Sequence, residues 1–88
     1  MQIVRSSAFV RAYNRLVKGN PSLELLFREK LAIFLQDPFD RSLKTHKLGG
    51  KLRDSFSFSL NHDLRVVFYF PQSGITLLEN IGPHDTVY

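Results

Sequence analysis

Hydrophobic residues recur along this chain with two different periods, and the change from one to the other divides it into a helical half and a stranded half. Ile3 and Val4 predict a short first strand. Ser6 or Ser7 then offers a helix cap, and Phe9, Tyr13, Leu16 and Val17 follow at helical spacing. Lys18-Gly19 closes that helix, glycine suiting the left-handed position beyond a helix end. Asn20-Pro21 starts a second helix, asparagine as cap and proline at the first helical position, where its missing N–H is not needed. Leu23, Leu26, Phe27, Lys30, Leu31 and Phe34 share one face of it, and Leu25 and Ile33 widen that face. Asp37-Pro38 ends the helix, because the residue before proline is pushed out of helical conformation. The short Gly19-Asn20 link predicts an antiparallel helical hairpin.

Residues 38–50 read as an irregular connector, after which the period becomes two. Phe56, Phe58 and Leu60 alternate with Ser55, Ser57 and Ser59, which predicts a half-buried strand. Asn61-His62 reads as a turn. Asp63 to Phe70 follows as a strand, with Leu64, Val66, Phe68 and Phe70 on one face and Asp63, Arg65, Val67 and Tyr69 on the other. Pro71-Gln72-Ser73-Gly74 reads as a turn, and Ile75 to Ile81 as another strand broken by Gly82-Pro83. Asp85 to Tyr88 are expected to form a short end strand.

Helices followed by antiparallel strands imply an α+β fold, with the N-terminal helical hairpin packed on one face of a small, mostly antiparallel, twisted sheet. The 88 residues make one domain, spanning 1–88, with no internal repeat or linker. Alternation places Ser57, Ser59, Asp63, Arg65, Thr76 and Asn80 on the opposite sheet face. That face is expected to be an open polar groove, suited to a single-stranded nucleic acid.

Composition sharpens this picture in two respects. Hydrophobic residues make up 43%, with eight Phe and three Tyr to fill a core, and there is no cysteine for disulfides or thiolate metal sites. The N-terminus lacks the apolar run of an export signal, and no segment approaches a membrane span, so a cytoplasmic location is expected. The net charge is +4, and its distribution is uneven. Arg41, Lys44, Lys47, Lys51 and Arg53 lie close together with His46 among them and no acid between. Such a patch suits a polyanion or an acidic protein partner, with a solvated basic loop as the plain alternative.

Three histidines, His46, His62 and His84, fall in loops or at strand ends. Imidazole ordinarily titrates near neutrality, so it suits proton transfer. RNA cleavage without a metal needs a base for the 2′-hydroxyl, a cation for the developing phosphorane charge and an acid for the departing 5′-oxygen. Arg65 can contact a phosphate through two N–H groups, and two histidines, or a histidine with Asp63, can act as base and acid. No histidine pair has a familiar metal-ligand spacing, and His62 and Asp63 would diverge on a regular strand, so no metal is expected. Leu48-Gly49-Gly50-Lys51-Leu52 lacks the spacing of a phosphate-binding loop, and no serine sits in a nucleophile elbow.

Three segments, Leu43 to Arg53, Arg65-Val66-Val67-Phe68-Tyr69 and Gly82-Pro83-His84-Asp85-Thr86-Val87-Tyr88, taken in that order, resemble the RelE/ParE superfamily of type II toxin–antitoxin toxins, most of all its YafQ-like branch. The resemblance implies a ribosome-dependent endoribonuclease that cleaves mRNA by acid/base chemistry and uses no cofactor. It implies catalytic roles for His84, Asp63, His46 and Arg65. His84 would act as acid or base, Asp63 as its partner or the base, Arg65 as the transition-state clamp, and His46 as a proton-transfer aid or phosphate ligand. Lys44, Lys47, Lys51 and Arg53 would follow the RNA or ribosomal RNA backbone, and Tyr88 would pack on a base or shape the site.

The partners so implied are an acidic antitoxin, mRNA and the ribosome, with operator DNA reached only through the antitoxin and no membrane. The chain departs from the YafQ-like pattern at three positions: Ser59 stands in place of a histidine, Asn80 in place of an arginine, and Leu64 in place of a tryptophan. Those departures keep two further readings open, a gyrase inhibitor of the ParE type acting by protein contact, and a weakened toxin that serves as an antitoxin-binding partner.

Overall fold

The computed structural model describes residues 1–50 and 54–87. The element order is β1 (Gln2–Arg5), α1 (Ser7–Val17), α2 (Pro21–Gln36), a 3-10 turn (Arg41–Leu43), β2 (His46–Leu48), β3 (Ser55–Ser59), β4 (Leu64–Gln72), β5 (Ile75–Pro83) and α3 (His84–Val87). The strands form one sheet in the order β1-β5-β4-β3-β2, with β1 parallel to β5 and the other pairs antiparallel. The expected α+β architecture, a helical hairpin on a mostly antiparallel sheet, is the one observed.

Both predicted caps form. Ser6 Oγ accepts from Phe9 N at 3.0 Å, and Asn20 Oδ1 accepts from Leu23 N at 3.2 Å with Pro21 at the start of α2. Each satisfies a backbone donor that the helix itself leaves open. Gly19, at φ +68°, supplies the left-handed residue between the helices. The buried stripe of α2 is Leu23, Phe27 and Phe34. Leu25 is 58% exposed, so the apolar face is narrower on that side than its sequence suggests.

Phe34 is the pin between the layers. Its ring lies 5.1 Å from that of Phe58 and 4.9 Å, edge-on, from that of Phe68. Phe9, Phe27, Leu43, Leu60, Val66, Leu78 and Ile81 complete the buried cluster around these rings. Burying an aromatic of this size contributes about 2–3 kcal/mol through removal of apolar surface from water.

Several expectations about the stranded half are corrected. Residues 38–50 are not wholly irregular: Asp40 caps the 3-10 turn, and His46, Lys47 and Leu48 pair with Ser57, Phe56 and Ser55. A three-residue strand is too short to show a period, and only its neighbour defines it. Asp63 lies in the turn before β4, not within the strand. Pro71 and Gln72 belong to β4, and the turn is Ser73-Gly74. Proline is tolerated there because the β4–β5 ladder is irregular between Tyr69 and Gln72. Gly82-Pro83 does not break β5, since Gly82 pairs with Arg65 and Pro83 with Leu64. Residues 84–87 turn into α3 in place of the expected end strand.

The sheet face away from the helices also differs from the open polar groove expected. A bulge separates the pairs Val67–Asn80 and Phe68–Leu78, and it resets the alternation along β5. Thr76 pairs with Ile3, which packs against the core, so Thr76 lies on the helix face and not beside Asn80. Ser55, Ser57 and Val67 are fully buried although they alternate with core residues. α3 packs near β4 and β5, and its Val87 is buried.

Candidate functional site

The sheet register decides which expected site residues can meet. His46 pairs with Ser57, Ser57 with Val67, and Val67 with Asn80, so these four form one row across the face opposite the helices. Two residues further toward the β3–β4 turn, Ser59, Arg65 and Gly82 form the next row on the same face. Leu64 and Pro83 are the last pair of the β4–β5 ladder. Asp63 and His84 each stand one residue beyond that pair, on adjacent chain segments at the same end of the sheet. Asp63, Arg65 and His84 are thereby brought to one corner.

His46 is set apart from that corner. Three strand spacings of about 4.8 Å and a rise of three residues put His46 itself roughly 17 Å from Pro83 along the sheet surface. His46 is exposed, with Nδ1 3.3 Å from the Lys44 carbonyl oxygen. Lys47 alternates with His46 and pairs with Phe56, so it projects from the other face. Its Nζ lies 3.1 Å from Asp54 Oδ1, an exposed ion pair that contributes little to stability. Lys51, Arg53 and Tyr88 lie outside the described residues.

The β3–β4 turn is built by Asn61. Its Oδ1 accepts from Asp63 N at 2.9 Å and from Leu64 N at 2.8 Å, which folds the chain back without help from glycine. Asp63 and His62 are exposed here, with His62 Nε2 3.5 Å from Asp63 Oδ2. The divergence expected of neighbours on a strand does not apply within a turn. Arg65 Nη1 donates to the carbonyl oxygens of Asn61 at 3.0 Å and Leu64 at 3.3 Å. The half-buried guanidinium is therefore held by backbone, and not by Asp63 or Asp54 as an ion pair.

A cleft of about 240 Å³ opens beside the β3–β4 turn, lined by Lys30, Ser42, Lys44, Ser59, Leu60, Asn61, His62 and, alone among the expected catalytic residues, Arg65. Lys44 enters it from the end of the 3-10 turn, where its backbone is left-handed at φ 52°. Asp40 lies near Lys30, and the hydroxyl and N–H of Ser42, both donating to its carboxylate, lower its pKa from the ordinary value. Lys30 and Asn61 were not among the residues singled out for the site. The signal for Lys30 was present as a lysine within the apolar stripe of α2.

A second cleft, of about 350 Å³, runs between α1 and the end of β5 and is lined by Arg11, Arg15, Asn80 and Pro83 among others. None of the expected catalytic residues lines it. Asn80 Oδ1 accepts from Ile81 N at 2.9 Å, so this side chain serves its own strand. Among the described residues no three histidine, aspartate or glutamate side chains converge as a metal site would require, and no helix is long and apolar enough to cross a membrane.

No protein-family model matches the sequence, and neither does any curated relative. Solved structures do match along the whole chain. A metal-bound toxin from Helicobacter pylori is 27% identical, with a TM-score of 0.80 over 100% of this chain and 99% of the other. A YoeB/ParE toxin from Agrobacterium tumefaciens has a TM-score of 0.82 at 16% identity, over 96% of this chain and 99% of the other. YafQ in the E. coli DinJ-YafQ toxin-antitoxin complex has a TM-score of 0.73 at 17% identity, over 99% and 96%. The chain has the fold of the RelE/ParE superfamily of toxins, as the order of its motifs implied.

Proposed function

We propose that this chain is the toxin of a type II toxin–antitoxin pair, of the YafQ-like kind, and that it cleaves mRNA on the ribosome without a metal or other cofactor. The observation that supports this reading is the pairing of Leu64 with Pro83 at the end of the β4–β5 ladder, which leaves Asp63 and His84 each one residue beyond it and Arg65 one residue inside it. In this reading the Asp63 carboxylate takes the proton of a 2′-hydroxyl, whose oxygen then attacks the adjacent phosphorus. The bond to the 5′-oxygen breaks as protonated His84 donates to it, leaving a 2′,3′-cyclic phosphate and a 5′-hydroxyl. Arg65 offsets the charge that develops on the phosphate oxygens. His46, in its separate row, contacts RNA away from the reacting bond, while Lys44 lines the same cleft as Arg65.

The same reading assigns a cytoplasmic location and an acidic antitoxin that covers the exposed basic residues between Arg41 and Lys47. Opposite charge there would both neutralise the toxin and direct the pairing. The test is in-vitro translation with the unmutated protein, compared with His84→Ala and Asp63→Asn. Cleaved mRNA with a 5′-hydroxyl end, lost in both variants, is the expected result. Intact mRNA with the unmutated protein would sink the ribonuclease reading, and DNA breaks insensitive to both substitutions would point to gyrase instead.

A further inference from the structure

Lysine rarely occupies a core-facing helical position unless its ammonium reaches water or a partner. Lys30 shares the face of α2 that carries Phe27 and Phe34, yet it is only half-buried and lines the cleft at the β3–β4 turn. Lys44 and Arg65 line the same cleft from the connector and the sheet. Three cations from three different parts of the chain thus face one space of about 240 Å³. Bringing like charges together is unfavourable unless an anion joins them.

No carboxylate is among the residues that line the cleft. Asp40, whose charge attracts Lys30, lies outside that lining and accepts from the hydroxyl and N–H of Ser42, and Asp63 sits against His62. The described ion pairs involve neither Lys30, Lys44 nor Arg65. Neutral donors are present as well. Ser59 contributes a hydroxyl to the lining, and Asn61, whose Oδ1 is saturated by two backbone N–H groups, keeps its amide N–H groups for another acceptor.

We infer that this cleft binds one backbone phosphate of the RNA, and that Lys30 is a substrate-binding residue alongside Lys44 and Arg65. The inference rests on the ribonuclease reading for the nature of the polyanion, and it adds a group from the helical layer to a site otherwise drawn from the sheet. Arg65, with Nη1 held by two carbonyl oxygens, presents its remaining N–H groups with little freedom, and the lysines close around the phosphate from the other side.

The test measures binding apart from cleavage, using a short single-stranded RNA with 2′-O-methyl groups, which lacks the nucleophile. Lys30→Met preserves the packed stem and removes the charge, Lys30→Arg keeps the charge, and Lys18→Ala removes an exposed lysine far from the cleft. Lys30→Met is expected to weaken binding about 3- to 10-fold and to flatten the slope of log affinity against log salt by about 0.7, one phosphate contact on a single strand. Lys30→Arg should restore both, and Lys18→Ala should change neither. A folded Lys30→Met protein that binds like Lys18→Ala overturns the inference, as does an unmutated protein that does not bind the RNA. Lys30-dependent binding by a protein that cleaves no ordinary RNA would leave this inference standing while removing the ribonuclease reading.

Discussion

Ser6 Oγ donates to the carbonyl oxygen of Glu79 at 2.7 Å, joining the start of α1 to the bulge in β5 across 73 residues of sequence. The same oxygen accepts from Phe9 N at 3.0 Å. One hydroxyl thus caps a helix and engages the strand irregularity that puts Asn80 in the row of Val67. Ser6→Ala is expected to lower stability by about 1–2 kcal/mol. Ser6→Asp, which keeps an acceptor for Phe9 N but has no donor for Glu79, should not recover the full amount. Urea unfolding of the three proteins checks this.

Phe34 touches both Phe58 and Phe68 and is fully buried. Phe34→Ala should cost about 3–5 kcal/mol, through lost burial and the cavity that remains. A loss below about 1 kcal/mol in a denaturant titration would show that α2 is not pinned to the sheet through this ring.

Ser55 Oγ is buried and has no hydrogen-bond partner among the described residues. A buried hydroxyl without a partner loses its hydration for nothing in return. Ser55→Ala should therefore leave stability unchanged or raise it by up to about 1 kcal/mol. A fall in melting temperature of several degrees would contradict this.

Lys44 holds a left-handed backbone that glycine adopts without strain. Lys44→Gly is expected to leave stability the same or up to about 1 kcal/mol higher while weakening RNA binding. Opposite movements of melting temperature and affinity would separate the residue's backbone role from its charge.

Asp40 has a lowered pKa because Ser42 donates to its carboxylate twice. Its proton affinity is thus smaller in the folded protein than in the unfolded chain. The stabilisation is present above the unfolded value, about 4, and is lost as pH falls through that value to the lower folded one. The stability difference between the unmutated protein and Asp40→Ala should accordingly shrink from pH 6 toward pH 3, as followed by chemical unfolding at each pH. A difference that stays constant over this range would remove Ser42 as the cause.

The separation of His46 from the Asp63–His84 corner gives a kinetic expectation. His46→Ala should raise KM more than it lowers kcat, whereas His84→Ala should lower kcat by 100-fold or more, on the order expected for a lost general acid. Equal losses of kcat in both would mean that His46 reaches the reacting bond.

The helical hairpin was legible from the sequence because its signals are local. Caps at Ser6 and Asn20, the stop at Gly19 and the spacing of Phe9, Phe27 and Phe34 each act within a few residues. The alternation of serine and phenylalanine likewise defined β3, and the family motifs pointed to the fold. Tertiary structure decided the rest, since each remaining feature depends on distant partners. β2 exists through its pairing with β3. The bulge that moves Thr76 to the helix face depends on β4 and β5 together. The burial of Ser57 and Val67, which alternate with core residues, is likewise set by packing and not by the period of the strand. Lys30 stands within an apolar stripe of the sequence, and only the fold sets it beside Lys44 and Arg65, because the convergence of charges from a helix, a connector and a strand is a property of packing and not of spacing along the chain.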